Sequence, residues 1–205
     1  MKTLYKIITI IFQPLLVPTY GMTLLMKMDV FTDIYTEFWR WVAIIGTFVF
    51  TGLLPAVPVL LLMKRGEVHD VFISKREERT MPYLFSFMAY VFWSLFMWRT
   101  LRFDLDFKFI IAIGIGSAIS IFIIMFINFK WKISAHVAGM GGLTGAVFGV
   151  SYRLAINPVW LFIIVLTVSA IVALSRIELK AHTPAQTLAG FAIGFIAVFV
   201  PCFFF

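Results

Sequence analysis

Charge is what this sequence has least of. Asp, Glu, Lys and Arg together make 13% of 205 residues, and the longest hydrophilic interval, Lys64–Thr80, is too short to be an extramembrane domain. Cysteine is almost absent: Cys202 alone excludes an internal disulfide and a cysteine-cluster metal site. Histidine occurs three times, with no His-x-x-x-His or Glu-x-x-His pair to pre-orient metal ligands on a helix. The amino end carries Lys2 and Lys6 before an apolar run but lacks a small-residue cleavage site, so it reads as a retained segment and not as a signal peptide.

What is there instead is apolar. Hydrophobic residues make 62% of the chain, 24 of them Phe, and the mean hydropathy is +1.01. Such a composition belongs to a polytopic membrane protein. The expectation is an all-α bundle of six to seven transmembrane helices, one integral-membrane domain over residues 1–205. The net charge of +7 reports loops facing anionic headgroups, and no nucleic-acid partner is expected.

Taken in order, Tyr5–Met26 is long enough to span or to dip, with kinks expected at Pro14 and Pro18. Trp41–Met63 is the second span, bent near Pro55 and Pro58. After Lys64–Thr80 a third span begins at Pro82 and ends near Trp98. Arg99–Lys108 turns the chain, and Phe109–Phe129 is the fourth. Ser134-Ala135-His136 opens a glycine-rich fifth span ending near Tyr152, Asn157-Pro158 begins the sixth, and Pro184–Phe205 is the seventh.

Between the last two lies Ser175–Gln186, which gathers Arg176, Glu178, Lys180 and His182 at a membrane boundary. Thr183, Pro184 and Gln186 have the form of a helix start: an N-cap, proline at the first helical position and a capping-box glutamine. His182 then precedes a helix N-terminus, where free N–H groups favour an anion, and Arg176 supplies a bidentate donor.

The three unusual polar stretches follow the second, fourth and sixth spans. Two crossings separate each from the next, so all three lie on one face. Small residues support a tight bundle. Gly141, Gly145 and Gly149 recur every four residues, as do Gly190 and Gly194, which lets backbones approach in lipid. The fifth and seventh helices would pair through them and bring His136 near His182.

Together the three stretches resemble the type 2 phosphatidic acid phosphatase superfamily, the lipid phosphate phosphatases, over about residues 70–205. The family's signature is Lys, six residues, Arg-Pro; then Pro-Ser-Gly-His; then Ser-Arg, five residues, His, three residues, Asp. The third part keeps its spacing as Ser175-Arg176, His182 and Gln186, with glutamine for aspartate. The second is Ser134-Ala135-His136, with Ile133 for proline and Ala135 for glycine. In the first, Arg79 precedes Pro82 by three positions, and Lys75 or Arg76 stands for the lysine.

The resemblance implies metal-independent phosphoryl transfer with no cofactor. His182 would be the nucleophile and His136 the acid for the leaving alkoxide. Lys75, Arg76, Arg79, Arg176 and Ser134 would hold the phosphate, and Gln186 would accept from the other His182 nitrogen without bringing the aspartate's charge. The substrate would be a phosphomonoester or diphosphate of a membrane lipid: phosphatidic acid, phosphatidylglycerophosphate or a polyprenyl diphosphate.

Other readings stand beside this one. Lys75 and Arg79 with Glu77 and Glu78 also fit a solvated helix face. Arg176 and Lys180 also fit cations snorkelling to headgroups, and Gln186 a simple cap. His69 and Asp70 with His136 and His182 would suffice for a metal-dependent membrane enzyme. A catalytically silent lipid-binding or transport protein is the third class. By these spans the motif face carries eleven cations against six, which places it in the cytoplasm by the positive-inside rule; a bacterial plasma membrane is the expected location.

Overall fold

A segment that leaves water must satisfy its backbone internally, and a helix does so without help from other segments. In the computed structural model, which describes residues 2–101 and 108–204, every regular element is helical. The elements are α1 (Lys2–Ile11), α2 (Val17–Met26), α3 (Asp29–Ile34), α4 (Glu37–Thr47), α5 (Leu54–Lys64), α6 (Thr80–Leu101), α7 (Lys108–Asn128), α8 (Ala135–Arg153), α9 (Val159–Glu178) and α10 (Pro184–Phe204). Of the turn expected over Arg99–Lys108, residues 102–107, Asp104 among them, lie outside the described residues, as does Phe205.

Among the described residues five helices are long and apolar enough to cross a membrane: Glu37–Lys64, Glu77–Thr100, α7, α9 and α10. The first joins α4 and α5 through a π-helical turn, Phe48–Leu53. Its cause is local. Pro55 cannot donate to the carbonyl one turn back, and the wider turn lets Leu54 reach Val49 instead. Thr47 and Thr51 fold their hydroxyls onto the carbonyls of Ala43 and Thr47, at 2.7 and 2.8 Å, so their polar atoms are not left bare.

The amino-terminal apolar run is not one helix. It breaks over residues 12–16 at Pro14, leaving α1 and α2 of 10 residues each. Pro18 bends nothing, because it sits in the first turn of α2, where a missing N–H has no partner to lose.

The helix α8 has 19 residues and most of its side chains are buried, yet its many glycines make it less apolar than those five. Those glycines make the closest packing in the molecule. A Cβ on Gly145 would stand 2.5 Å from the Phe195 carbonyl, and one on Gly190 would stand 2.7 Å from the Ser134 carbonyl. The backbones of α8 and α10 therefore touch along this seam. At its upper end the Ser134 N–H donates to the Gln186 carbonyl at 3.4 Å, which ties the starts of the two helices together.

Candidate functional site

Three polar segments converge at one end of the bundle. Arg76 Nη1 donates to the Phe129 carbonyl at 3.1 Å, Asn128 Nδ2 donates to the Arg76 carbonyl at 3.0 Å, and Arg79 Nη1 donates to the Ile133 carbonyl at 3.2 Å. Segments some fifty residues apart in the chain are thus joined by side chains that each donate to a main-chain carbonyl of the other.

The turn from α9 to α10 positions Arg176 and His182. Lys180 takes a left-handed conformation (φ 53°). Its N–H returns to the Ile177 carbonyl at 2.8 Å, and that of Ala181 to the Arg176 carbonyl at 3.1 Å. These are the two bonds of a Schellman motif, which closes a helix and reverses the chain. The His182 N–H also reaches the Arg176 carbonyl, at 3.3 Å, so the two candidate residues share one backbone anchor.

The expected capping box follows at once. The Thr183 N–H donates to Gln186 Oε1 at 3.2 Å, and the Gln186 N–H donates to Thr183 Oγ1 at 3.3 Å. This fixes more than the helix start. Because Thr183 N–H is a donor, the atom it meets must be the amide oxygen of Gln186. The same oxygen lies 3.2 Å from His182 Nδ1, so Nδ1 carries the proton and Nε2 holds the lone pair. Burial first, and then the nearby Arg79 and Arg176 guanidiniums, push the His182 imidazole down to about 3. The ring is neutral near pH 7 and can act as a nucleophile through Nε2.

Arg79 is held by its own loop. Its Nε donates to the Ile73 carbonyl at 2.8 Å, and the loop is shaped for that contact. Asp70 accepts from Phe72 N–H at 2.8 Å, from Ser74 N–H at 3.1 Å and from the Ser74 hydroxyl at 3.1 Å. Ile73 sits at φ 47°, a left-handed conformation strained for a β-branched residue.

Arg79, His136, Arg176 and His182 all line one cavity of about 180 Å³. The two arginines are each 4% exposed, and neither has a carboxylate within ion-pair distance among the described residues. Arg176 Nε and His136 Nε2 are buried without a hydrogen-bond partner. The backbone of Thr9, in α1, lies beside the His136 ring. A buried cation lacking a counter-ion is expensive, and two in one cavity with an imidazole whose Nε2 is unpaired mark a candidate site for an anion.

The remaining candidates lie elsewhere. Lys75 pairs with Glu78 at 3.2 Å on the exposed surface, and Arg76 pairs with Glu77 at 3.2 Å; neither lines the cavity. This is the solvated-face alternative for those two residues, while Arg79 alone turns inward. Ser134 is fully buried with its hydroxyl unpaired, behind the cavity wall that Ala135 and His136 form. His69 bonds Glu78 at 2.7 Å at the surface, and Asp70 serves its own loop. The metal alternative is therefore not assembled: among the described residues no three His, Cys, Asp or Glu side chains come together.

Two residues near the site carried no motif. Tyr83 lines the cavity with its hydroxyl buried beside Arg79; its spacing of four from Arg79 on a continuing helix was the available signal. Lys132 is close enough for Arg79 and Arg176, after burial, to lower its ammonium from the usual lysine range; adjacency to Ser134 was the only hint. Compared with known protein families, with curated proteins and with solved structures, the chain finds no match.

Proposed function

We propose that this protein is an integral-membrane phosphatase that removes a terminal phosphate from a lipid phosphomonoester or diphosphate. The observation that carries the reading is the pair of buried, carboxylate-free guanidiniums of Arg79 and Arg176 in one cavity with His136 and His182. Their origin in three segments arranged in the order of the lipid phosphate phosphatase signature supports it.

His182 Nε2 attacks phosphorus while the bond from phosphorus to the lipid oxygen breaks. That oxygen takes a proton from His136, so the lipid leaves as an alcohol, or as a monophosphate when the substrate is a diphosphate. Water then attacks the phosphohistidine, returns a proton to His136 and releases inorganic phosphate. Arg79 and Arg176, buried in the same cavity, face the oxygens on which charge spreads. His136 takes up the proton for this step together with the phosphate, whose negative charge offsets the two neighbouring guanidiniums.

In this reading α8 is a sixth crossing, since 19 residues at ~1.5 Å each come within a few ångströms of the ~30 Å core. The α1–α2 pair is a broken seventh. The site then opens to one face of a plasma membrane, the cytoplasmic one by cation count.

The test is phosphate release from a panel of lipid phosphates by detergent-solubilised protein, beside His182→Ala. Release by the parent and none by the variant is expected. Equal release from both removes His182 as nucleophile. Gln186 favours one second reading, a lipid-binding protein without turnover, because its amide brings no charge to support an imidazolium. Tight binding of these lipids with no phosphate released by the parent would select it.

A further inference from the structure

The cavity does not end at the cations. It continues into the apolar interior beside α8, whose residues Ala135, Gly139, Gly142 and Ala146 line it at helical spacings that put them on one face. Gly139 faces Pro14 and Val17 of the amino-terminal segment, away from α10, whereas Gly142 stands at the edge of the α10 contact, toward Val198. A Cβ on Gly139 would meet nothing closer than 3.8 Å, and one on Gly142 nothing closer than 3.4 Å. Packing therefore does not require glycine at either position, although glycine weakens a helix interior. Their small size leaves space, and that space joins the pocket into which the unpartnered His136 Nε2 and Arg176 Nε are buried.

From His136 to Ala146 the lining advances ten residues, about 15 Å along the helix at ~1.5 Å per residue. Leu25 and Tyr90 stand among the apolar walls. The volume is about 180 Å³. An apolar cavity of about 150 Å³ holds one benzene, so this one admits a single slender chain and has no room for two side by side.

We propose that the slot is a tail site: it takes one hydrocarbon chain of an anionic amphiphile, with the anionic head at Arg79 and Arg176 and about the first six carbons beside Gly139 and Gly142. The preferred ligand class is a single-chain phosphate, alkyl or isoprenoid, over a two-chain glycerolipid. This rests on the phosphatase reading for the head of the ligand and goes beyond it for the tail.

Phosphonates test it without turnover, because their carbon–phosphorus bond is not a phosphoester. Calorimetric titration of the protein in lipid nanodiscs would use methyl-, butyl-, octyl- and hexadecylphosphonate and a two-chain dialkylglycerol phosphonate, with the parent and with Gly139→Leu. Partitioning into the nanodisc is the same for both proteins, so the difference between them is the measure.

The parent's affinity should rise about threefold to fourfold per buried methylene up to about six carbons and then flatten, with the two-chain ligand weaker than hexadecylphosphonate. Gly139→Leu should lower octylphosphonate affinity at least tenfold. Should that variant not fold, as judged by its melting temperature, Gly139→Ala and Gly142→Ala should give smaller losses in the same direction.

An identical series in parent and folded variants overturns the tail site, as does a two-chain ligand binding as tightly as the single chain. If methylphosphonate binds and length has no effect, the tail site falls while the anion site stands. If length-dependent binding accompanies a protein that releases no phosphate from the matching alkyl phosphates, the phosphatase reading falls and the tail site stands. Absence of binding by every member removes both.

Discussion

The segments 64–79 and 175–186 are both rich in cations, and they treat them in opposite ways. In the first, Lys75 and Arg76 remain at the surface opposite Glu78 and Glu77, and only Arg79 is drawn inward. In the second, a Schellman turn and a capping box stand back to back, so that Arg176 and His182 are both buried within a six-residue interval. The difference shows that a charged residue near a membrane can be buried without a carboxylate when the backbone around it has already found its partners. Where carboxylates are adjacent, the charge is neutralised at the surface and contributes little.

The sharpest way to break that comparison is by alanine substitution in a phosphate-release assay. Arg176→Ala and Arg79→Ala should each lower turnover by about 10²–10³, the loss typical of removing one transition-state donor. Lys75→Ala and Arg76→Ala should stay within a few-fold of the parent. Comparable losses at Lys75 and Arg176 would mean that surface pairing does not separate the two segments.

A second contrast is in acid. With its imidazole near 3 in the folded protein and about 6.5 when unfolded, His182 binds its proton more readily in the unfolded chain. Between those values stability therefore falls as pH falls, and above about 6.5 this contribution is constant. Melting temperature measured from pH 7 to pH 4 should decline, and His182→Asn should remove part of the decline. Bound inorganic phosphate should also reduce it, by favouring the protonated ring. A His182→Asn curve parallel to the parent's throughout would remove this linkage.

The smallest expected effect lies at the turn itself. Lys180 adopts a left-handed conformation with a side chain that disfavours it. Lys180→Gly should raise stability by up to about 1 kcal/mol, read as a higher melting temperature with turnover little changed. A destabilised protein would mean that the lysine side chain, and not the backbone, holds the turn.

The legible parts of this molecule were the local ones. Ser175–Gln186 was readable because a cap, a proline and a glutamine at fixed offsets define a helix start whatever surrounds them. The pairing of α8 with α10 was readable because glycines every four residues have few other uses in lipid. Arg79 could not be told from Arg76 by spacing. Its inward turn depends on a left-handed Ile73 and on Ile133, a residue from another loop. The break at Pro14 and the π-turn before Pro55 were visible as prolines, but whether a proline bends, widens or ends a helix depends on the neighbours that re-satisfy its carbonyls. Hydropathy alone undervalues α8, since glycine lowers the signal in the helix that is most enclosed.

The amino-terminal helix carries a practical consequence. Thr9 is wholly buried, its backbone lies beside His136, and Gln13 and Pro14 continue the same wall. Trimming the first dozen residues would unroof the imidazole and let water in from the side, even though none of those residues belongs to a recognisable motif.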